Sequence, residues 1–147
     1  MRISIIIAMI IFFSCKTVQK TVSDLPVISM IKTACFGSCP VFEINIFYDG
    51  KVELKGEMFM DLIGGFRADL TKSELKQLIN AFEERDFFAF EDEYSAKITD
   101  LPTTYLSFNY QGRNKKIRDY YNAPEELKAL ERMVAELLEK LDWKPVN

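Results

Sequence analysis

Cys35 and Cys39 bracket the most chemically suggestive segment of the chain, Cys35-Phe36-Gly37-Ser38-Cys39-Pro40. Three intervening residues with a central glycine let two thiols meet across a tight turn, and Pro40 restricts Cys39 to extended conformations. Such a pair can close a disulfide, exchange with another thiol, or bind Cu(I) with thioether help from Met30, Met58 or Met60. The remaining polar candidates are loop acids beside aromatics: Asp100 ahead of Leu101-Pro102, and Asp119 ahead of Tyr120-Tyr121. Together with Phe36 they could line a polar site for a sugar or peptide. The commoner role of such acids, and the favoured one here, is to cap turns and bond backbone near a helix start. None of the 147 residues is histidine, which removes the commonest general base and transition-metal ligand. There is no glycine-rich phosphate loop, nucleophile elbow or zinc spacing. The acidic run Glu91-Asp92-Glu93 lacks the spaced oxygens and glycine of a calcium loop and reads as a solvated edge. No catalytic residue, metal or cofactor is therefore expected.

The first residues carry an address. Arg2 precedes an almost unbroken apolar run, Ile3 to Phe13, which is too short to cross a bilayer as a helix but suits the core of a secretory signal. It ends in Ser14-Cys15, a small residue followed at once by cysteine, which resembles a bacterial lipobox with Phe12 in place of the usual leucine. Residues 1–14 are then a signal peptide, Cys15 carries the lipid, and 15–26 form a tether. Several acyl chains on one residue hold a protein stably at a membrane. Lys16 to Lys20 contain no acidic sorting residue, so by resemblance to diderm lipoproteins the domain is expected on the periplasmic side of the outer membrane. In that oxidising compartment, with one of 3 cysteines lipidated, Cys35 and Cys39 are the natural partners for a single bridge. Losing Arg2 leaves 18 basic against 22 acidic side chains. A mildly acidic chain without a basic tract is not expected to bind nucleic acid.

The elements that must position these residues follow from periodicity. Residues 27–147 suit one domain, and a chain that is 48% hydrophobic over its 147 residues has enough for a core. Val27 to Lys32 reads as a first strand, Val41 to Tyr48 alternates, and Lys51 to Lys55 alternates again after Asp49-Gly50, which predicts a hairpin with a type I′ turn. Met58 to Arg67 reads as a further strand, bulged at Gly64-Gly65. Thr71 can cap a helix, with Glu74 reaching back and Leu70 stapling onto Leu75, and Leu75, Leu78, Ile79 and Phe82 give its apolar stripe to about Arg85. Thr103 to Tyr110 and Lys115 to Asp119 are strands across Gln111-Gly112. Asn122-Ala123-Pro124-Glu125 opens a second helix, with a stripe running from Leu127 to Leu141. The expected fold is α+β: a mainly antiparallel sheet of about five to six strands with two amphipathic helices on one face.

Three segments together resemble a known family: CFGSCPVFEINIFYDGKVELKG, TDLPTT and DYYNAPEELKALE. They resemble domain of unknown function 6438, an uncharacterised lipoprotein family mostly of Bacteroidota, over roughly Val27 to Leu141. The matching positions are Cys35, Phe36, Gly37, Cys39 and Pro40, then Thr99 to Thr104, then Asp119, Tyr120 and Tyr121. The resemblance implies one folded unit with a lipoprotein address and supplies no activity. A smaller likeness is to Sco-type copper chaperones, which share Cys-x-x-x-Cys-Pro but add a distant histidine that this chain lacks. The sequence thus supports a non-enzymatic, lipid-anchored periplasmic domain with one structural disulfide, binding an envelope protein or small ligand through loops around Phe36, Asp100, Pro102, Asp119, Tyr120 and Tyr121. The alternative is a thiol-disulfide or Cu(I)-handling protein using Cys35 and Cys39. The two differ in whether the pair is accessible and activated.

Overall fold

Strict alternation between apolar and polar residues builds the sheet, and two helical stripes close it. The computed structural model describes residues 25–146; the expected signal peptide and Cys15 fall outside them. The strands are β1 (Ile28–Lys32), β2 (Val41–Ile46), β3 (Lys51–Met58), β4 (Gly64–Asp69), β5 (Glu93–Tyr94), β6 (Thr104–Tyr110), β7 (Arg113–Asp119) and β8 (Lys144–Pro145). They form one sheet in the order β5-β7-β6-β1-β2-β3-β4-β8, antiparallel except for the β5–β7 pair. The α+β class holds. The expected five to six strands become eight, because β5 and β8 add a two-residue strand at each edge.

One face carries the core. Ile28 and Met30, Phe42, Ile44 and Ile46, Val52 and Leu54, and Leu106, Phe108 and Ile117 are all buried on it. Against them pack α1 (Lys72–Glu84) and α2 (Glu125–Ala135), through Leu75, Leu78 and Phe82 of the first and Leu127, Leu130 and Val134 of the second. Thr71 and Glu74 close the expected capping box, each bonding the other's backbone. The chain leaves α1 through a single 3₁₀ turn at Phe87–Ala89. Phe82, Phe87 and Phe108 meet there in tilted and edge-to-face contacts with ring centroids 5.0 to 5.8 Å apart, so the aromatic connection fills the core.

Three local expectations change. The β2–β3 hairpin forms, but Asp49 is not left-handed; only Gly50 is, at φ 89°. Gly50 N–H donates to the Phe47 carbonyl, and the Asp49 carboxylate accepts from Lys51 N–H, giving a longer loop than a two-residue type I′ turn. A Cβ on Gly50 would come within 2.7 Å of the Leu70 carbonyl oxygen, so glycine is required there. The segment from Met58 to Arg67 is not one strand: β3 ends at Met58, residues 59–63 turn, and β4 starts at Gly64. The second apolar stripe is split at Glu136 into α2 and the short α3 (Leu137–Lys140).

Candidate functional site

β1 lies between β2 and β6, antiparallel to both, and β6 lies antiparallel to β7. The C-terminal ends of β1, β3 and β7 therefore share one end of the sheet with the N-terminal ends of β2, β4 and β6. This pole gathers the disulfide loop, the β3–β4 turn, the segment before β6 and the segment after β7. The other end receives the incoming chain: Val27 N–H bonds the Ile46 carbonyl, and Asn109 N–H bonds the Val27 carbonyl.

Cys35 and Cys39 are bridged, with their Cα atoms 5.8 Å apart. Both are half-buried, while Phe36 projects outward at 90% exposure. The bridge thus pins a loop whose tip is an aromatic side chain in water. That loop touches the segment before β6. Thr33 N–H donates to the Thr103 carbonyl at 3.0 Å, Thr33 Oγ1 accepts from Thr103 N–H at 2.9 Å, and Phe36 N–H reaches the Asp100 carbonyl at 3.4 Å. Asp100 is left-handed, at φ 73°, which an aspartate tolerates better than most residues, and its carboxylate accepts from the Thr99 hydroxyl. Pro102 is half-buried beside it. On the far side Tyr120 donates its hydroxyl to the Ile98 carbonyl at 2.8 Å, and Tyr121 is exposed. Tyr120 and Tyr121 N–H both bond the Tyr94 carbonyl, which ties β5 to the end of β7. Phe36, Asp100, Pro102, Tyr120 and Tyr121 therefore lie on adjoining loops at one pole.

Asp119 is different. It is 2% exposed and faces the helices from the last position of β7. The Lys128 ammonium contacts its Oδ2 and lies 3.2 Å from Glu131 Oε2. Burial, then the neighbouring Asp119, push the Glu131 carboxyl up to about 7, against the pull of Lys128. Asp119 Oδ1 and Glu131 Oε1 have no other hydrogen-bond partner among the described residues, so a proton retained on Glu131 can serve both carboxyls. A cavity of about 230 Å³ between β1 and α2 opens beside the cluster, lined by Lys32, Lys128, Glu131 and Arg132. Sequence reasoning places Asp119 on the loop surface and passes over Glu131. Glu131 nevertheless has a signal: it follows Leu127 by four residues and precedes Val134 by three, a charged residue inside an apolar helical stripe.

The pole is also where apolar side chains meet water. Of nine large apolar residues exposed among those described, seven sit on or at the base of these loops: Phe36, then Met58 at the end of β3 with Phe59 and Ile63 of the β3–β4 turn, then Ile98, Leu101 and Tyr121. Tyr48 is at the opposite end, stacked on Tyr110. The β3–β4 turn, absent from the sequence-derived site, is tightly built. A Cβ on Gly56 would fall 1.7 Å from the Leu62 carbonyl oxygen, and Phe59 is held left-handed at φ 55°. A bulky residue in that conformation is strained, and here it presents its ring to solvent. As for soft ligands, Met30 is buried in the core and Met58 lies opposite Val41 at the base of the disulfide loop.

The family model for a domain of unknown function (DUF6438) matches residues 26–138, and the chain belongs to that family. No curated protein matches the chain.

Proposed function

We propose that this protein is a lipid-anchored, non-enzymatic binding module of the cell envelope, attached through Cys15 to the outer membrane and facing the periplasm. The observation that carries the reading is the meeting of the disulfide loop, the Asp100–Pro102 segment and Tyr120-Tyr121 at one pole, joined by backbone bonds and by the Thr33 and Tyr120 hydroxyls. A rigid set of loops around exposed aromatic rings is the construction that recognition surfaces use. The Cys35–Cys39 bridge then acts by fixing that loop, as a structural disulfide.

Two measurements test this. In cells making the full chain, Cys15→Ala should move the protein from the membrane to the soluble fraction; retention in the membrane removes the anchor from the proposal. The reduction potential of the bridge should lie below about -300 mV. A value of roughly -120 to -200 mV would instead mark a labile, exchanging pair and favour the thiol-disulfide or Cu(I)-handling reading.

A further inference from the structure

We infer that the loop pole docks a folded envelope protein presenting an apolar patch with a basic rim, on the side of the domain away from its own membrane anchor. This rests on the proposed anchor at Cys15 and goes further by enlarging the surface and naming the chemistry of its occupant.

The surface extends beyond the disulfide loop to the β3–β4 turn. Met58 pairs with Val41, two residues after Cys39, so the turn carrying Phe59 and Ile63 adjoins the base of the Phe36 loop. On the other side the Phe36–Asp100 contact joins Leu101, and Tyr120 joins the strip through Ile98. A contiguous apolar edge of this kind is uncommon on a surface that meets only water, and aromatic side chains are the usual anchors of protein interfaces.

Two observations choose the occupant. The first is charge. The exposed ionic residues beside the apolar ones are Asp61, Asp100 and, at the start of α2, Glu126, against Lys97; Glu57 and Glu125 are exposed too but are paired with Lys55 and Arg132. An acidic excess disfavours an anionic lipid surface and favours a basic protein rim. The second is where the chain enters. Leu25, the first described residue, leads into β1 at the opposite pole, ten residues after Cys15. Ten residues reach at most about 35 Å. The strands between the poles are up to eight residues long, about 26 Å. Turning the loop pole down onto the anchoring bilayer would stretch the tether to about three quarters of its reach, beyond its relaxed span of about 17 Å, at a cost in chain entropy. The relaxed arrangement points the pole away from that bilayer, toward other envelope proteins.

The test is photo-crosslinking in cells that make the full chain, with the photoreactive residue placed in turn at Phe36, Phe59, Ile63 and, as control, Tyr48. One and the same protein should be joined from the first three positions and not from Tyr48. Once identified and purified, it should bind the detergent-solubilised full chain at least tenfold more weakly after Phe59→Asp. It should also bind more weakly after Asp61→Lys, and without change after Tyr48→Ser. Aspartate accepts the left-handed backbone at position 59 more readily than phenylalanine, so Phe59→Asp should fold; an unchanged thermal midpoint checks this. Crosslinks only to a second copy, equal crosslinking from Tyr48, or no product would overturn the inference. So would binding of the Cys15→Ala chain to phosphatidylethanolamine–phosphatidylglycerol vesicles that Phe59→Asp abolishes. Fractionation of Cys15→Ala reports separately on the anchor: a chain that is anchored yet yields no pole crosslinks defeats this inference alone.

Discussion

Glu131 gives the sharpest quantitative expectation. Its carboxyl ionises near 4.5 in an unfolded chain and is pushed to about 7 between β7 and α2. Below pH 4.5 both states carry the proton and the shift contributes nothing. Between 4.5 and 7 the unfolded chain releases the proton first, which draws the equilibrium toward unfolding. Above 7 the loss reaches its full value, about 3 kcal/mol at 1.36 kcal/mol per pKa unit. Lys128 limits the loss by contacting both acids, and its own pKa is raised by Asp119 and Glu131 against the opposing effect of burial. Glu131→Gln keeps the shape, cannot ionise, and can still donate to Asp119. The variant should match the wild type at pH 4.5 and exceed it by 2 to 3 kcal/mol at pH 8, a rise of roughly 10 °C in melting temperature for a domain of this size. Urea unfolding at a series of pH values measures the difference directly. The side-chain carboxyl resonance of Glu131 should titrate with a midpoint near 7. Two stability curves that run parallel from pH 5 to pH 8, or a midpoint near 4.5, would refute the assignment of a retained proton to this buried pair.

Other expectations concern the loop pole and its supports. Gly56→Ala should destabilise the domain by about 2 kcal/mol or more and loosen the β3–β4 turn, because the new methyl meets the Leu62 carbonyl; amide exchange in residues 59–63 would show the opening. Replacing Cys35 and Cys39 together by serine should cost only about 2 kcal/mol, since the bridged loop is short; protease sensitivity should rise between Ala34 and Pro40 while the core stays protected. Thr71→Ala should remove about 1 kcal/mol by breaking the capping box, read as a drop in urea midpoint at constant slope.

Most of the scaffold is legible in the sequence where one face is buried. Phe42, Ile44 and Ile46, or Leu106 and Phe108, alternate with polar residues because the sheet has one dry side. The Leu75–Phe82 stripe marks α1 for the same reason at helical period. The turn after β3 escapes this logic. Residues 58–63 are all apolar but Asp61, so no alternation reports the reversal, and only the Gly56–Leu62 contact and Gly64 at φ 105° explain it. The edge strands escape it too. β5 and β8 are two residues long and owe their pairing to Arg118 and Arg67 regions distant in sequence.

The candidate site is legible in its parts and illegible in its assembly. Cys35-Phe36-Gly37, Asp100-Leu101-Pro102 and Tyr120-Tyr121 are separated by dozens of residues, and nothing in their local patterns says that they adjoin. What joins them is strand order: β6 returns to pair with β1 on the side opposite β2, which carries the ends of β1, β6 and β7 to one pole. Long-range pairing of that kind is fixed by which buried faces fit together. The same order separates Asp119 from Tyr120. Being on the helix-facing side of the last strand position, Asp119 is drawn under α2 to Lys128 and Glu131, while the two tyrosines beyond it stay with the loops. One short acidic-aromatic segment is thereby divided between two places, Asp119 in an ionic cluster beneath α2 and the tyrosines among the loops of the pole.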